Sequence, residues 1–160
     1  MDGAAPEAEA ARRSPAGPLA VAAVVVVLDQ LTKLWAVSAL SDGPDRVFGS
    51  LLELRLTRNP GGAFSLLTNL TPVLAVLAVV MAAYIVRTTR RTADIVMAYS
   101  LALVLGGAVG NLLDRLLRSP GFLRGEVVDF IKVPHWPTFN VADSAITVGV
   151  ILIALRGSKS

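Results

Sequence analysis

The stretch GEVVDFIKVPHWPTFNVADSAI, from Gly125 to Ile146, places two aspartates, Asp129 and Asp143, beside apolar segments. A carboxylate at bilayer depth costs a few kcal/mol on insertion scales, so an ionisable residue in such a place suggests a function. Two neighbouring carboxylates can share one proton, and one of them can then activate water while the other protonates or polarises a substrate. We therefore treat this stretch as the centre around which the rest of the chain is organised.

The composition indicates a membrane protein. Hydrophobic residues make up 54% of the 160 residues and the mean hydropathy is +0.63, whereas soluble domains are roughly 45–50% apolar even with glycine counted. The net charge of +3 and the isoelectric point near 9.8 do not indicate nucleic-acid binding. The basic residues stand at the ends of apolar runs and not along one face, which is typical of membrane topology.

The sequence contains no cysteine and one histidine, His135. It therefore offers no disulfide, no thiolate nucleophile and no cysteine-based metal site, and a single histidine cannot supply a zinc shell. We expect no metal and no cofactor. Any catalysis would rest on Asp, Asn, Lys, Arg and Ser.

Four apolar segments predict an all-α integral membrane protein with four transmembrane helices. A helix needs roughly 20 apolar residues to cross a hydrocarbon core of about 30 Å. A cleaved signal peptide is the alternative for the first segment, but Asp29 and Lys33 interrupt it where a signal peptide stays apolar. We favour a retained helix. The segments are Leu19–Leu40, Leu70–Val86, Ile95–Leu117 and Val141–Leu155.

The segments define a single four-helix domain over residues 19–156. Residues 1–18 are rich in Ala, Pro, Glu and Gly, a composition that predicts a disordered tail. Residues 157–160 form a short C-terminal tail.

The connection between the first two segments has a different pattern. Within Val47 to Arg58, three leucines alternate with polar residues, and this period of two predicts a half-buried strand at the water interface in a small sheet. The alternating residues are Leu52, Leu54 and Leu56 with Glu53, Arg55 and Thr57. The sequence Asn59-Pro60-Gly61-Gly62 then ends the strand. Gly61 and Gly62 could let the backbone approach another group closely, although a plain turn is the commoner use of this sequence.

Polar residues interrupt the apolar helices at a few places. Asp29 and Lys33 are one turn apart and within reach of each other. They could be a structural ion pair with Lys33 extending to the interface, or supporting residues of an active site. In the third segment, Gly106 and Gly110 predict close helix packing. Asn111, Asp114 and Arg115 form its polar end, and Asn140 is placed to cap the fourth segment ahead of Asp143.

Lysine and arginine counts predict the orientation. Arg87, Arg90 and Arg91 follow the second segment, and the two tails are also basic, so both termini should be cytoplasmic. The 1–2 and 3–4 connections then lie together on the outer side. This arrangement gathers polar residues at one face of the membrane, namely Asn59, Asn111, Arg115, Asp129, Asn140 and Asp143.

Five short blocks of the sequence resemble the lipoprotein signal peptidases (signal peptidase II), a family of bacterial membrane aspartyl proteases. Each block alone is weak, but five in this order and on these elements are highly specific. The resemblance covers Leu19 to Leu155. The blocks are Asp29-Gln30-Leu31-Thr32-Lys33, Asn59-Pro60-Gly61-Gly62-Ala63-Phe64-Ser65, Gly106-Gly107-Ala108-Val109-Gly110-Asn111-Leu112-Leu113-Asp114-Arg115, Val127-Val128-Asp129-Phe130 and Phe139-Asn140-Val141-Ala142-Asp143-Ser144.

The resemblance implies a small extracytoplasmic β-cradle on the membrane surface and an endopeptidase activity in the bacterial cytoplasmic membrane. The substrates would be diacylglyceryl-modified prolipoproteins, cut just before the lipidated cysteine, and we expect the enzyme to be a monomer. By motif position, Asp129 and Asp143 look like the catalytic dyad. Residues resembling the substrate-binding set are Asn59, Asn111, Arg115 and Asn140. Supporting residues implied in the same way are Asp29, Lys33, Gly62 and Asp114.

Two other classes of protein compete with this interpretation. A small transporter would use intramembrane carboxylates as relay sites, but such proteins tend to place charges near the bilayer midplane in repeated halves, and no internal repeat is visible. A scaffold protein would leave the two aspartates unexplained. Asp114 could also partner Asp143, but Asp114 adjoins Arg115 whereas Asp129 has apolar neighbours, which favour sharing a proton.

Overall fold

The computed structural model describes residues 14–49, 51–60, 71–89 and 92–158. Each of the four predicted apolar segments forms a helix. The helices are α1 (Ala16–Ala39), α2 (Thr71–Thr89), α3 (Ile95–Leu117) and α4 (Val141–Gly157), and the strands are β1 (Asp45–Phe48), β2 (Leu52–Asn59) and β3 (Val127–Lys132).

The first helix begins earlier than the sequence predicts. It starts at Ala16, so the last three residues of the predicted disordered tail, 16–18, are helical. Residues 1–13 and the continuation from Gly61 to Leu67, including Gly62, lie outside the described residues.

Within the described part of the chain, two helices have both the length and the hydropathy of a membrane span. They are α1 with 24 residues and α3 with 23 residues. Helix α4 is apolar but has 17 residues. In α2, the apolar helical stretch Ala75–Thr89 is likewise shorter than these two spans.

Helix α1 carries its buried charged groups inside and large apolar groups outside. On α1, Asp29 and Lys33 are fully buried, whereas Leu31 and Leu34 are 58% and 59% exposed. Exposed large apolar residues continue on the other helices, for example Ile151 on α4. This distribution is the reverse of that in a soluble protein, and it fits helices whose outer surface contacts lipid and whose ionisable residues face the bundle interior.

Helix α3 packs against each of the other three helices. A Cβ added at Gly107 would collide with the carbonyl oxygen of Ala142 in α4, and one added at Gly110 would lie 2.6 Å from Oδ2 of Asp29 in α1. A Cβ at Gly106 would lie 2.7 Å from a backbone oxygen of α1. The predicted close packing at these small residues is therefore confirmed.

The three strands form one antiparallel sheet in the order β1-β2-β3. The prediction of one strand from Val47 to Arg58 is wrong in this respect, because two strands occupy the region. The chain reverses at Gly49, whose φ of 56° is a conformation that glycine adopts without steric cost. The predicted placement of the segment in a small sheet is confirmed.

Strand β3 joins the two connections of the chain. It pairs with β2, with Thr57 opposite Asp129 and Asn59 opposite Val127. The sequence did not predict a strand here. The pairing brings the 1–2 and 3–4 connections to the same end of the helices, as the sequence predicted.

The sheet packs against the end of α1. Ala36 and Leu40 of α1 form one buried apolar cluster with Val128 and Phe130 of β3. The ring of Trp35 also meets the ring of Phe130 edge-on, with centroids 6.2 Å apart. These contacts fix β3, and with it Asp129, relative to the helices.

Candidate active site

Asp129 lies in β3 with both carboxylate oxygens hydrogen-bonded. Oδ1 accepts from Nδ2 of Asn140 at 2.7 Å, and Oδ2 accepts from Nδ2 of Asn59 at 3.1 Å. The pairing of β2 with β3 places Asn59 beside this side chain. Asp129 is 2% exposed, so its carboxyl group lies in a dry environment and its contacts are with neutral amides.

Asp143 lies in the first turn of α4 within a reciprocal capping box. Oδ1 of Asn140 accepts from the backbone N–H of Asp143 at 2.9 Å, and Oδ2 of Asp143 accepts from the backbone N–H of Asn140 at 3.3 Å. The other oxygen, Oδ1, accepts from Nδ2 of Asn111 at 2.8 Å. The predicted N-cap at Asn140 is confirmed, and Asp143 itself helps to begin the helix.

The environment of Asp129 changes its protonation. Burial raises the pKa of Asp129 from 3.8 to about 7, and the charge of Asp143 contributes to the increase, while the hydrogen bonds from Asn59 and Asn140 lower the pKa. The two carboxylates are therefore close enough for the ionisation of one to oppose that of the other. This is the condition under which a pair shares one proton.

The predicted ion pair between Asp29 and Lys33 is present and fully buried. Nζ of Lys33 lies 2.8 Å from Oδ2 of Asp29 and 2.8 Å from Oδ2 of Asp114. It also donates to Oδ1 of Asn111 at 2.9 Å. The alternative in which Lys33 extends to the membrane interface is wrong, because the whole side chain faces the interior.

Asp114 is held from several sides. Besides the contact with Lys33, its Oδ1 accepts from Nε of Arg118 at 2.6 Å and its Oδ2 accepts from the backbone N–H of Val128 at 3.1 Å. Arg118 is not among the site residues expected from the sequence. Its position four residues after Asp114 on a helical pattern is the signal that could have identified it.

Arg115 places a cation close to the carboxylates. It is 8% exposed, and within the described ranges its Nη1 is buried without a hydrogen-bond partner. The guanidinium interacts electrostatically with Asp129, Asp114 and Asp143. A buried donor of this kind can bind an oxygen of a group that enters the site.

A groove of about 390 Å³ opens beside Asp143. Its walls are mostly apolar, and it runs along the start of α4. The aspartate is therefore reachable from this groove. The other residues lining the groove are Val133, Trp136, Phe139, Ser144, Thr147 and Val148.

The structure brings together nine of the ten site residues expected from the sequence. The tenth, Gly62, lies outside the described residues. Among the residues that are described, no group of three or more His, Cys, Asp or Glu is placed to hold a metal ion. The nine are Asp29, Lys33, Asn59, Asn111, Asp114, Arg115, Asp129, Asn140 and Asp143.

The fold is shared with bacterial membrane enzymes. A solved structure described as a bacterial membrane enzyme, determined by the in meso method at 2.3 Å, matches with a TM-score of 0.81 and 29% identity over 90% of this chain and 88% of that one. A second structure of the same description, at 1.9 Å, matches with a TM-score of 0.77 and 29% identity over 88% of this chain and 92% of that one.

The chain belongs to the signal peptidase II family. The sequence model described as signal peptidase (SPase) II matches residues 21–158. A lipoprotein signal peptidase of Rhodococcus jostii is 47% identical over 84% of this chain and 69% of its own length. Those of Mycolicibacterium smegmatis and Mycobacterium tuberculosis are 47% and 45% identical over 88% and 86% of this chain, and over 63% and 68% of their own lengths.

Proposed function

We propose that this protein is a membrane-embedded aspartyl endopeptidase that removes signal peptides from diacylglyceryl-modified prolipoproteins, cutting just before the lipidated cysteine. The relatives are named lipoprotein signal peptidases. The observation that carries the proposal for this chain is the joint contact of Asn140 with Asp129 and Asp143. Through it, two carboxyl groups from a strand and a helix meet in one site.

In this proposal Asp129 holds the shared proton. It contacts neutral amides and its pKa is about 7, so it is protonated in mildly acidic conditions and partly protonated at neutral pH. Asp143 is the ionised partner, because two N–H donors and the positive end of α4 stabilise its charge. The asymmetry gives the pair one acid and one base, as its chemistry requires.

Hydrolysis then follows from the two protonation states. Ionised Asp143 takes a proton from a water molecule, and the water oxygen forms a bond to the scissile carbonyl carbon. Protonated Asp129 donates a hydrogen bond to the oxygen on which negative charge develops. When the carbon–nitrogen bond breaks, the leaving nitrogen takes a proton from the dyad, and the pair returns to its starting state.

Three neighbouring polar residues are proposed to bind and orient the substrate backbone. Arg115 offers its Nη1, which has no hydrogen-bond partner among the described residues, to a carbonyl oxygen near the scissile bond. Asn59 and Asn111 each donate to one aspartate, and a slight shift of either amide would let it contact the peptide as well. Such positioning groups lower the barrier by holding the reacting atoms in an attack geometry.

In this proposal the groove beside Asp143 is the route by which a membrane-anchored substrate enters the site. The substrate is an anchored peptide whose acyl chains remain in lipid, so the site must be reached from the side. The groove beside Asp143 opens along α4 between apolar residues such as Val133 and Trp136. We propose that all four helices span the membrane as one unit over residues 19–156, that both termini are cytoplasmic, and that the sheet and the site lie at the extracytoplasmic face.

The test uses the purified full chain in detergent and a synthetic diacylglyceryl-modified prolipopeptide. We expect cleavage on the amino side of the lipidated cysteine, and none of the same peptide lacking the lipid. A transporter or scaffold predicts no cleavage of either peptide. The matched control is Asp143→Asn, which separates activity of this chain from that of a contaminating protease. Cleavage that persists in this variant would refute the proposal.

A further inference from the structure

The strand that carries Asp129 is anchored by a buried carboxylate. Val128 immediately precedes Asp129, and its backbone N–H donates to Oδ2 of Asp114 at 3.1 Å. Both residues are almost fully buried. Asp114 belongs to α3, so this bond fixes the position of β3 along that helix, at the residue immediately before Asp129.

The helix that carries Asp143 is anchored in the same way. Ala142 immediately precedes Asp143, and its backbone N–H donates to Oδ1 of Asp29 at 2.9 Å. Ala142 and Asp29 are both fully buried. Asp29 belongs to α1, so each half of the dyad is held, one residue upstream, by a carboxylate from a different helix.

Lys33 connects these two carboxylates. Its ammonium group lies 2.8 Å from Asp29 and 2.8 Å from Asp114, and it donates its third hydrogen bond to Oδ1 of Asn111 at 2.9 Å. An ammonium group has three donors and no acceptor. All three donors are therefore used. Asn111 contacts Asp143 directly, and Asp29 and Asp114 contact the residues that precede Asp143 and Asp129.

The third bond also helps to set how Asn111 faces Asp143. Because Lys33 can only donate, the side chain of Asn111 must turn its oxygen towards Lys33. Its nitrogen then points to Oδ1 of Asp143, to which it donates at 2.8 Å. The same oxygen also accepts from Nδ2 of Asn140 at 3.1 Å. Without the ammonium group, only this bond would keep the amide from reversing and presenting its oxygen to a carboxylate, which would repel it.

We propose that Lys33, together with Asp29 and Asp114, is a positioning clamp that sets the separation of Asp129 from Asp143 and orients the Asn111 amide between Lys33 and Asp143. These residues do not contact the reacting atoms. They act through Val128, Ala142 and Asn111. The inference rests on the proposed function, since it assigns the clamp to the dyad of that peptidase.

If the ion cluster were purely structural, its removal would lower stability without lowering kcat in the folded fraction. Removing one partner from a buried ion pair is strongly destabilising, so Lys33→Met alone is a poor test. Asp114 retains Arg118 at 2.6 Å, which leaves Asp29 as the carboxylate without a cation. The charge-conserving pair Asp29→Asn with Lys33→Met avoids this difficulty, because an asparagine oxygen can still accept from Ala142 while the bridge between the two anchors is lost.

The matched control removes an ion pair at the opposite end of the molecule. Nε of Arg156 in α4 lies 2.6 Å from Oδ2 of Asp94, which caps α3. The pair Asp94→Asn with Arg156→Met also conserves charge, retains a capping side chain and removes a bond between helices. We expect kcat and KM to stay at their wild-type values in this variant.

The measurements are kcat, KM and the melting temperature of the full chain in detergent, with the diacylglyceryl-modified prolipopeptide as substrate. For Asp29→Asn with Lys33→Met we expect kcat to fall about 100-fold, the loss typical of a misplacement near 1 Å. We expect KM to stay within about threefold, because no substrate-binding residue is substituted. A kcat within about threefold of wild type, or a loss matched by the control at equal folded fraction, would overturn the clamp.

A second variant keeps the test decisive if the double variant does not fold. Asp29→Asn alone retains the acceptor for Ala142 and leaves Lys33 paired with Asp114. We expect kcat to fall about tenfold, the equivalent of one hydrogen bond to a charged group, and an unchanged kcat overturns the clamp. Failure of the proposed function is distinguishable, because the wild-type protein would then cleave nothing, whereas failure of the clamp leaves wild-type cleavage intact.

Discussion

The side-chain nitrogen of Asn140 lies 2.7 Å from Oδ1 of Asp129. The oxygen of the same side chain accepts from the backbone N–H of Asp143. One amide therefore fixes the position of β3, which carries Asp129, relative to α4, which carries Asp143. Its orientation is determined by the cap, because only the oxygen can accept from a backbone N–H. The nitrogen is therefore directed at Asp129.

The two ends of the Asn140 amide can be separated by mutation. Asn140→Ser retains a capping oxygen, so the helix loses little stability, but it removes the donor to Asp129. We expect kcat to fall roughly 10- to 100-fold, which corresponds to the loss of one hydrogen bond to a carboxyl group that is charged or becomes charged during the reaction. The melting temperature should be nearly unchanged. Asn140→Ala should lose the cap as well. Equal kcat for wild type and Asn140→Ser would contradict this role.

The rate of cleavage should depend on pH in a bell-shaped manner. The pKa of Asp129 is about 7, so the shared proton is lost, and kcat should fall, as the pH rises through that region. On the acid side kcat should fall when Asp143 is protonated as well. The apparent pKa values belong to the pair and not to either residue. A flat profile, with chemistry shown to limit the rate, would argue against a shared proton.

Stability should also depend on pH through Asp129. Its pKa is raised from 3.8 to about 7 on folding, so the folded protein holds this proton more tightly than the unfolded chain does. The resulting stabilisation is complete below the unfolded pKa and is lost as pH rises through the folded value. We therefore expect the difference in melting temperature, wild type minus Asp129→Asn, to decrease as the pH is raised from about 4 to about 7. A constant difference would show that burial does not control this proton.

The orientation in the membrane can be tested with reporter fusions. Arg87 lies in the last turn of α2, and basic residues follow in the sequence, so a fusion at Thr89 should report the cytoplasm. A fusion at Gly121, between α3 and β3, should report the outer side. A Thr89 fusion that reports outside would reverse both the topology and the placement of the site.

Local sequence patterns were sufficient for much of this architecture. Apolar length predicted the helices, the spacing of Asp29 and Lys33 predicted their ion pair, and the position of Asn140 predicted a helix cap. Each of these depends on residues within one or two turns of a helix, where geometry is fixed by the backbone.

Long-range pairings were not predictable in the same way. Asn59 and Asp129 are 70 residues apart in sequence, and their contact depends on the register of β2 against β3. Register is set by tertiary packing, here by Val128 against α1, and a single strand carries no record of its partner. For the same reason the sequence could not show that Lys33 reaches Asp114 as well as Asp29.

The choice of partner for Asp143 is the most direct test of the proposed dyad. Asp114 contacts two cations, Lys33 and Arg118, so its carboxylate is occupied by buried ion pairs. Asp129 contacts the neutral amides of Asn59 and Asn140, and these tolerate either protonation state. Asp129 and not Asp114 is therefore suited to exchange a proton during catalysis.

The asparagine variants of these aspartates should separate chemistry from structure. Asp129→Asn and Asp143→Asn are nearly isosteric, so each should fold and bind lipopeptide while cleavage falls by about 10⁴-fold or to nothing, because the acid–base function is removed. Asp114→Asn should act through stability, positioning or substrate binding and leave measurable turnover in the folded fraction. The assay is single-turnover cleavage, with folded fraction and lipopeptide affinity measured for each variant. Full turnover by Asp129→Asn, together with a folded but inactive Asp114→Asn, would transfer the role to Asp114.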